Sequence, residues 1–439
     1  MWTRRQMLAS AASLPLLEGA DRKPNILFLF SDDHHFQALG AAGNPHIRTP
    51  HLDALAQSGV HFTNGIISTS QCCPSRGVML SGLETYQSGL RSNGATDFAP
   101  GAVKKTVVGQ MRDAGYDTIH IGKWHVTPQP GPCGFARSPL WLRGGGSVYR
   151  DPMLRRGQEG KDEKVPGHIT DLFTDAAIGE VRKAKQPYFL WLGYNAPHTP
   201  WYAAEKYHAP YAGTPNEKLA PPLHPPGGKA FNWRTYYAVI THLDEAIGRL
   251  VSAVKESGQW DNTVIFFIGD NGYMSGTRNW SGKVHHWDES VRVPYFVSGG
   301  FVKKAAKVAD PVSSVDATAT WLDIAGVKPV QRVAGRSYLS YLKTGKGSIR
   351  EAYSVWDDGR PEGLAVNVAV EPYRLVRTDR HKLVVFESKK QSLYDCVSDP
   401  GEVQDLIGDA KHAKLREDLR ARLRKRMETT NDRALAWMS

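Results

Sequence analysis

The stretch Asn25-Ile26-Leu27-Phe28-Leu29-Phe30-Ser31-Asp32-Asp33 decides the fold. Residues 25–30 are near-continuously apolar instead of alternating, as in a strand covered on both faces of a parallel sheet. Four more short runs rich in Ile, Val, Phe and Leu follow at residues 118–121, 188–193, 263–268 and 293–297. Helical spacing fills the intervals. Residues 49–58 open with Thr49-Pro50, a helix-start signal, and residues 101–114, 170–184 and 233–257 share the periodicity. Alternating strands and helices predict an α/β fold, a large mostly parallel sheet with helices on both faces.

Working outward, the first four runs share polar carboxyl ends. They finish in Ser31-Asp32-Asp33, Gly122-Lys123-Trp124-His125, Asn195-Ala196-Pro197-His198 and Gly269-Asp270-Asn271-Gly272. Ligands of open α/β sheets bind beyond the carboxyl ends of strands. One such ending is ordinary loop chemistry; four of them predict one shared site. After about residue 345 the character changes. Residues 373–378 and 382–385 read as short strands, Asp399-Pro400-Gly401 as a turn and residues 411–429 as a charged helix. The expected division is residues 23–345 for the main domain and 346–439 for a C-terminal α+β subdomain with a small antiparallel sheet. Residues 127–165 and 201–229 are rich in Gly and Pro and too long for plain connectors, so they are candidates to shape a pocket.

At 439 residues the chain suggests two or three domains, and its 41% apolar share fits an ordered globular protein. A formal net charge of +11 favours anionic partners, including nucleic acid, acidic lipid or sulfated polymers. The basic cluster at residues 411–426 reads as the solvated face of a helix. Thr3-Arg4-Arg5-Gln6-Met7-Leu8 is a twin-arginine pattern ahead of a short apolar run, with small residues at Gly19-Ala20. That run falls short of the about 20 residues that span a bilayer. Residues 1–22 therefore read as an export signal, with the mature protein periplasmic or secreted and free of membrane spans. Four cysteines, Cys72, Cys73, Cys133 and Cys396, lack metal-ligand spacing, and a Cys133–Cys396 disulfide stays open.

Cys72-Cys73-Pro74-Ser75-Arg76, continuing to Leu80-Ser81-Gly82, resembles the signature of the type I (formylglycine-dependent) sulfatases of the alkaline phosphatase-like superfamily. Further segments extend the resemblance: Thr49-Pro50-His51-Leu52-Asp53, Gly122-Lys123-Trp124-His125, Ala196-Pro197-His198-Thr199-Pro200, Asp270-Asn271-Gly272, Gly282-Lys283, and Asp288-Glu289-Ser290-Val291-Arg292-Val293-Pro294. Leu393-Tyr394-Asp395 and Asp399-Pro400-Gly401-Glu402 are also family-like. His51 and Asp288 stand where the family usually has Asn and Glu.

The resemblance implies that Cys72, not Cys73, is oxidised to formylglycine by a formylglycine-generating enzyme. A hydrated aldehyde carries two hydroxyls on one carbon; one attacks sulfur and the other then expels sulfate. Asp32, Asp33, Asp270 and Asn271, with the modified Cys72, are the implied ligands of one calcium ion per subunit, and oxygen donors suit such a hard cation. Arg76, Lys123 and Lys283 match positions that grip sulfate oxygens. His125 and His198 match proton carriers near the diol and the leaving oxygen. His34, His35, His285 and His286 have no assigned role; His285-His286 reads as a plain loop pair, with a substrate contact as the alternative.

The expected reaction is hydrolysis of a sulfate ester on a small molecule or glycan, with no nucleic-acid partner. A formylglycine-dependent phosphate or phosphonate monoester hydrolase is the enzymatic rival, and a non-catalytic binder of sulfated glycans is the rival of another class. Trp141, Trp201, Tyr202 and Trp233 are candidates both for sugar stacking and for core packing. The sulfate ester and the oligomeric state are not legible.

Overall fold

A computed structural model describes residues 23–94, 96–185, 187–225, 227–357 and 370–439. The export signal expected at residues 1–22 lies outside the described residues. Ten strands form the main sheet: β1 (Asn25–Ser31), β2 (Val60–Phe62), β3 (Asp117–Lys123), β4 (Leu140–Leu142), β5 (Met153–Arg156), β6 (Glu163–Lys164), β7 (Tyr188–Gly193), β8 (Thr263–Gly269), β9 (Tyr295–Ser298) and β10 (Ala306–Val308). Their order is β10-β2-β9-β8-β1-β7-β3-β4-β5-β6. β1 lies between β7 and β8, parallel to both, with Ile26 opposite Phe189 and Val264.

Every residue of β1 is buried, and its side chains alternate between two cores. Phe28 and Phe30 face one core with Trp191, Phe266 and Trp321. Leu27 and Leu29 face the other with Leu190, Leu192, Ile265 and Phe267. Six helices matter here: α1 (Pro50–Ser58), α2 (Cys72–Ser81), α3 (Ile169–Lys183), α4 (Trp233–Glu256), α5 (Ser314–Ile324) and α6 (Ala413–Thr429). α2 and α5 cover the first core; α1, α3 and α4 cover the second. The sheet is thus a central layer, and its near-continuous apolar runs follow from burial on both faces.

The run at 293–297 departs from the parallel expectation. β9 runs antiparallel to both β8 and β2. Parallel neighbours need a crossover that returns to the same edge of the sheet. Residues 270–294 instead stay at the carboxyl end and fold back, with Gly269 N–H donating to Pro294 O (3.2 Å). The helix expected over residues 101–114 starts only at Val107, because the Thr106 side chain caps it by accepting from Gly109 N–H (2.9 Å).

The C-terminal strands β11 (Ala352–Trp356), β12 (Tyr373–Arg377), β13 (His381–Phe386) and β14 (Gln391–Asp395) form an antiparallel sheet in sequence order. α6 packs Leu419, Leu423 and Met427 on Val376, Leu383, Val385 and Leu393; its basic face is not wholly solvated, since Arg426 turns inward to pair with the buried Glu84 and donates to Ala334 O (2.6 Å). All four cysteines are free, which settles the Cys133–Cys396 question against a disulfide. Among the described residues no helix is long and apolar enough to cross a membrane. Trp141 and Trp233 are core residues, whereas Tyr202 is exposed.

Candidate active site

The carboxyl ends of β1, β3, β7 and β8 deliver Asp32 and Asp33, Lys123, His198, and Asp270 with Asn271 to one place. A tight packing detail allows this. Gly122 and Gly193 sit opposite each other on β3 and β7. A Cβ on Gly122, whose φ is +98°, would meet Gly193 O at 2.0 Å, and one on Gly193 would crowd the Arg76 guanidinium at 3.0 Å.

Cys72 is the first residue of α2, all ten residues of which are buried. Sequence reading assigned no helix here, because a wholly buried segment shows no amphipathic period. Two signals were available. Pro74 falls in the first turn, where its missing N–H costs nothing, and Gly82 closes the helix at φ +71° with its N–H on Val78 O (2.8 Å). The helix points its positive end at the site.

Cys72 Sγ lies 3.6 Å from Asp32 Oδ1 and 2.6 Å from Lys283 Nζ. Lys283 Nζ also donates to Asp33 Oδ1 (2.6 Å), and Lys123 Nζ pairs with Asp32 Oδ2. Arg76 Nη2 donates to Asp270 Oδ2 (3.0 Å), and its Nη1 donates to Lys123 O (2.7 Å). Three carboxylates therefore face three cations. Carboxylate oxygens of Asp32, Asp33 and Asp270 lie within 4.8 Å of one another. Asn271 Nδ2 donates to Asp33 Oδ1 (2.6 Å) and Gly272 O (2.8 Å), which fixes the amide. Its Oδ1 is buried without a hydrogen-bond partner among the described residues. Three carboxylates plus one orphaned amide oxygen, all buried, suit a hard divalent cation.

Burial raises Asp32, but Lys123, with His198, Lys283 and Arg76, holds it well below the usual carboxylate range. Burial and then the Asp32 charge push Asp270 up. Burial opposes protonation of Lys283, yet Asp33, Cys72 and Asp32 hold its ammonium well above the usual value. Burial, then the Asp32 charge, push the Cys72 thiol up to about 12. Asp33, His125 and Val284 have φ of 59°, 63° and 73°. Such strain clusters at sites the surroundings over-determine; the Asp33 amide donates to Asp270 Oδ1 (3.2 Å) and the Val284 amide to Ser70 O (3.0 Å).

The two histidines are half-buried. His198 Nε2 lies 3.7 Å from Asp33 Oδ2, and its ligand atom is within 4.8 Å of those of Cys72 and Asp32. Burial and then Lys123 push His125 down to about 2, and its Nδ1 has no hydrogen-bond partner among the described residues. Residues 127–165 do reach the site, through two glycines that sequence reading did not single out. A Cβ on Gly145 would lie 2.6 Å from His125 Cε1 and Nε2, and one on Gly146 would lie 2.9 Å from His198 Cε1. Tyr149 Oη donates to His198 O (2.7 Å). Gly-rich composition hinted at this loop, but not at which side chains it touches.

The remaining histidines have other partners. His34 uses both ring nitrogens, on Ser31 Oγ and Ala38 O (3.0 Å each). His35 and His224, the latter from the 201–229 stretch, lie 3.7 and 3.2 Å from Glu289. His285 and His286 are buried against Trp287, and His286 also against Phe386, so they pack within the protein.

The family model described as sulfatase matches residues 24–327, and that of the N-sulphoglucosamine sulphohydrolase C-terminal region matches residues 276–429. An ulvan-active sulfatase of Formosa agariphila is 28% identical, covering 93% of this chain and 82% of its own length. A structure solved with its substrate D-glucosamine-2-N,6-O-disulfate superposes with a TM-score of 0.81 at 24% identity, over 94% of this chain and 99% of that one. A phosphonate monoester hydrolase of Agrobacterium radiobacter superposes with a TM-score of 0.75 at 22% identity, over 94% and 97% of the two chains. These two structural likenesses speak to the fold alone. The sulfatase model spans well over half of the chain, and on that match the chain belongs to the sulfatase family of hydrolases.

Proposed function

We propose that this chain hydrolyses a sulfate ester carried on a carbohydrate. In this reading the nucleophile is made by oxidising Cys72 to formylglycine, and one calcium ion is held by Asp32, Asp33, Asp270, Asn271 and the modified Cys72. The observation that carries the reading is the setting of Cys72 Sγ between Lys283 and Asp32 at the start of α2. A thiol pushed up to about 12 is almost wholly protonated at neutral pH, so the unmodified cysteine is a poor nucleophile in this setting. The ulvan-active relative supports a carbohydrate substrate.

When bound, the cation supplies polarisation of a sulfate oxygen and lowers the pKa of the attacking hydroxyl. The hydrated aldehyde supplies two hydroxyls, one for attack and one for release. The rest falls to the chain's own side chains. Lys123, Lys283 and Arg76 hold Asp32 ionised, and the three cations place positive charge where the sulfate oxygens gain negative charge. His198 gives a proton to the leaving oxygen. His125 is neutral when the site is free; an anionic ester beside it raises its pKa toward the range in which it takes the second hydroxyl's proton. The same reading assigns residues 1–22 to export, 23–345 to the catalytic domain and 346–439 to the C-terminal subdomain. It places the mature enzyme in the periplasm or medium, after modification by a formylglycine-generating enzyme.

The test is sulfate release from sulfated glucosamines, sulfated polysaccharides and an aryl sulfate, with and without chelator. The reading expects sulfate release that chelator removes and calcium restores, and that Cys72→Ala abolishes without unfolding the protein. Turnover confined to a phosphonate monoester, or glycan binding without turnover, overturns it.

A further inference from the structure

Beside His125 opens a cavity of about 380 Å³, whose apolar wall is Val126, Leu142 and Met153 and whose charged residues are Arg143 and Asp162. The two charges are not equivalent. Asp162 is already paired with Arg155, which donates from Nε (2.7 Å) and Nη2 (3.2 Å). The Arg143 side chain has no ion pair or hydrogen bond among the described residues, and it acts on Asp162 only through space. The cavity therefore carries one uncompensated cation. That cation is also held in register with the chemistry. Arg143 O accepts the His125 N–H (3.1 Å), and Gly145, two residues on, lies against the His125 ring.

An apolar wall beside a lone guanidinium fits a ring with C–H faces that bears a negative group at its edge. A guanidinium presents a planar fork that matches sulfate or carboxylate oxygens in pairs. We propose that this cavity seats a sugar ring of the substrate on the His125 side of the site and that Arg143 reads a second anionic group there, a further sulfate or a carboxylate. The proposal rests on the sulfatase reading and narrows its substrate class to multiply anionic sugars.

The test compares kcat/KM for a monosulfated and a disulfated form of one sugar, taken from those the enzyme turns over, in wild type and in Arg143→Ala, Arg143→Lys and Arg143→Glu. An aryl sulfate is run alongside to test the sulfatase reading itself. A charge-assisted contact corresponds to a preference of about tenfold to a hundredfold. The disulfated form is expected to be preferred by that factor in wild type. The preference collapses in Arg143→Ala, inverts in Arg143→Glu and returns in part in Arg143→Lys. Because Arg143 is exposed, these variants are expected to fold; unchanged thermal unfolding confirms it. The same preference in wild type and Arg143→Ala overturns the proposal, as does turnover of the aryl sulfate with no sulfated sugar. Failure of the aryl sulfate as well removes the sulfatase reading, and the proposal with it.

Discussion

Gly145→Ala adds one methyl group and should cripple the enzyme without unfolding it. The backbone at Gly145 is not left-handed, so alanine meets no conformational penalty there. The new Cβ would lie 2.6 Å from His125 Cε1 and Nε2, where ordinary contact begins near 3.4 Å, so the ring must retreat by roughly 0.8 Å. Ring displacement costs little stability, because the ring is the free end of a half-buried side chain. It costs reactivity, since a misplacement of about 1 Å can lower a rate about a hundredfold. We expect kcat/KM on an aryl sulfate to fall about 30- to 100-fold, or about 2–3 kcal/mol of transition-state stabilisation. The loss should fall mainly in kcat. Gly146→Ala, at 2.9 Å from His198 Cε1, should lose less. Gly179→Ala is the control: nothing lies within 4 Å of its Cβ in α3, and replacing a helical glycine should add about 0.5–1 kcal/mol of stability with turnover intact. A Gly145→Ala enzyme within twofold of wild type, with His125 still required, would refute the reasoning.

Three further outcomes follow. Lys382, fully buried, donates to Asp288 Oδ1 (3.0 Å) and His286 O (2.7 Å) and pairs with Glu402; Lys382→Met strands the buried Glu402 carboxylate and leaves Asp288 only its longer pairs with Arg292 (3.6 Å) and Arg377 (3.7 Å), which should cost about 3–5 kcal/mol in urea unfolding, with Glu402→Gln recovering part of the loss. Burial holds His34, His61 and His285 at about 4 and His120 at about 3, so between pH 6.5 and 4 the unfolded chain binds more protons than the native one. Stability should therefore fall as pH drops below 6.5, by up to about 1.4 kcal/mol per pH unit for each histidine. His120→Phe, set among Trp124, Phe135 and Trp141, should make that slope shallower in pH-dependent melting. Chelation should abolish sulfate release and lower the melting temperature, with calcium restoring both, because a ligand that binds only the native state adds stability.

The parallel strands were legible because burial on both faces writes a continuous apolar run, and the site was legible because its residues end those runs. What stayed hidden depends on chain path. The antiparallel course of β9 follows from a return loop whose direction leaves no periodic trace. α2 is buried on all sides, so Cys72 to Ser81 show no helical stripe. β11 and β14 are five-residue strands whose pairing is set by their neighbours on β12 and β13. The contacts of Gly145 with His125 and of Gly146 with His198 join residues some 20 and 50 positions apart, which composition cannot pair. Arg143 likewise acquires its meaning from Asp162 already being taken by Arg155.

The most direct test of the account is the chemical state of Cys72 in an active preparation. Protein coexpressed with a formylglycine-generating enzyme should yield a Cys72 peptide with the mass deficit of a thiol converted to an aldehyde, trapped by a carbonyl reagent. Cys73 should remain a thiol, and sulfate release should scale with the modified fraction. An enzyme that releases sulfate while its Cys72 peptide is wholly unmodified would contradict the account.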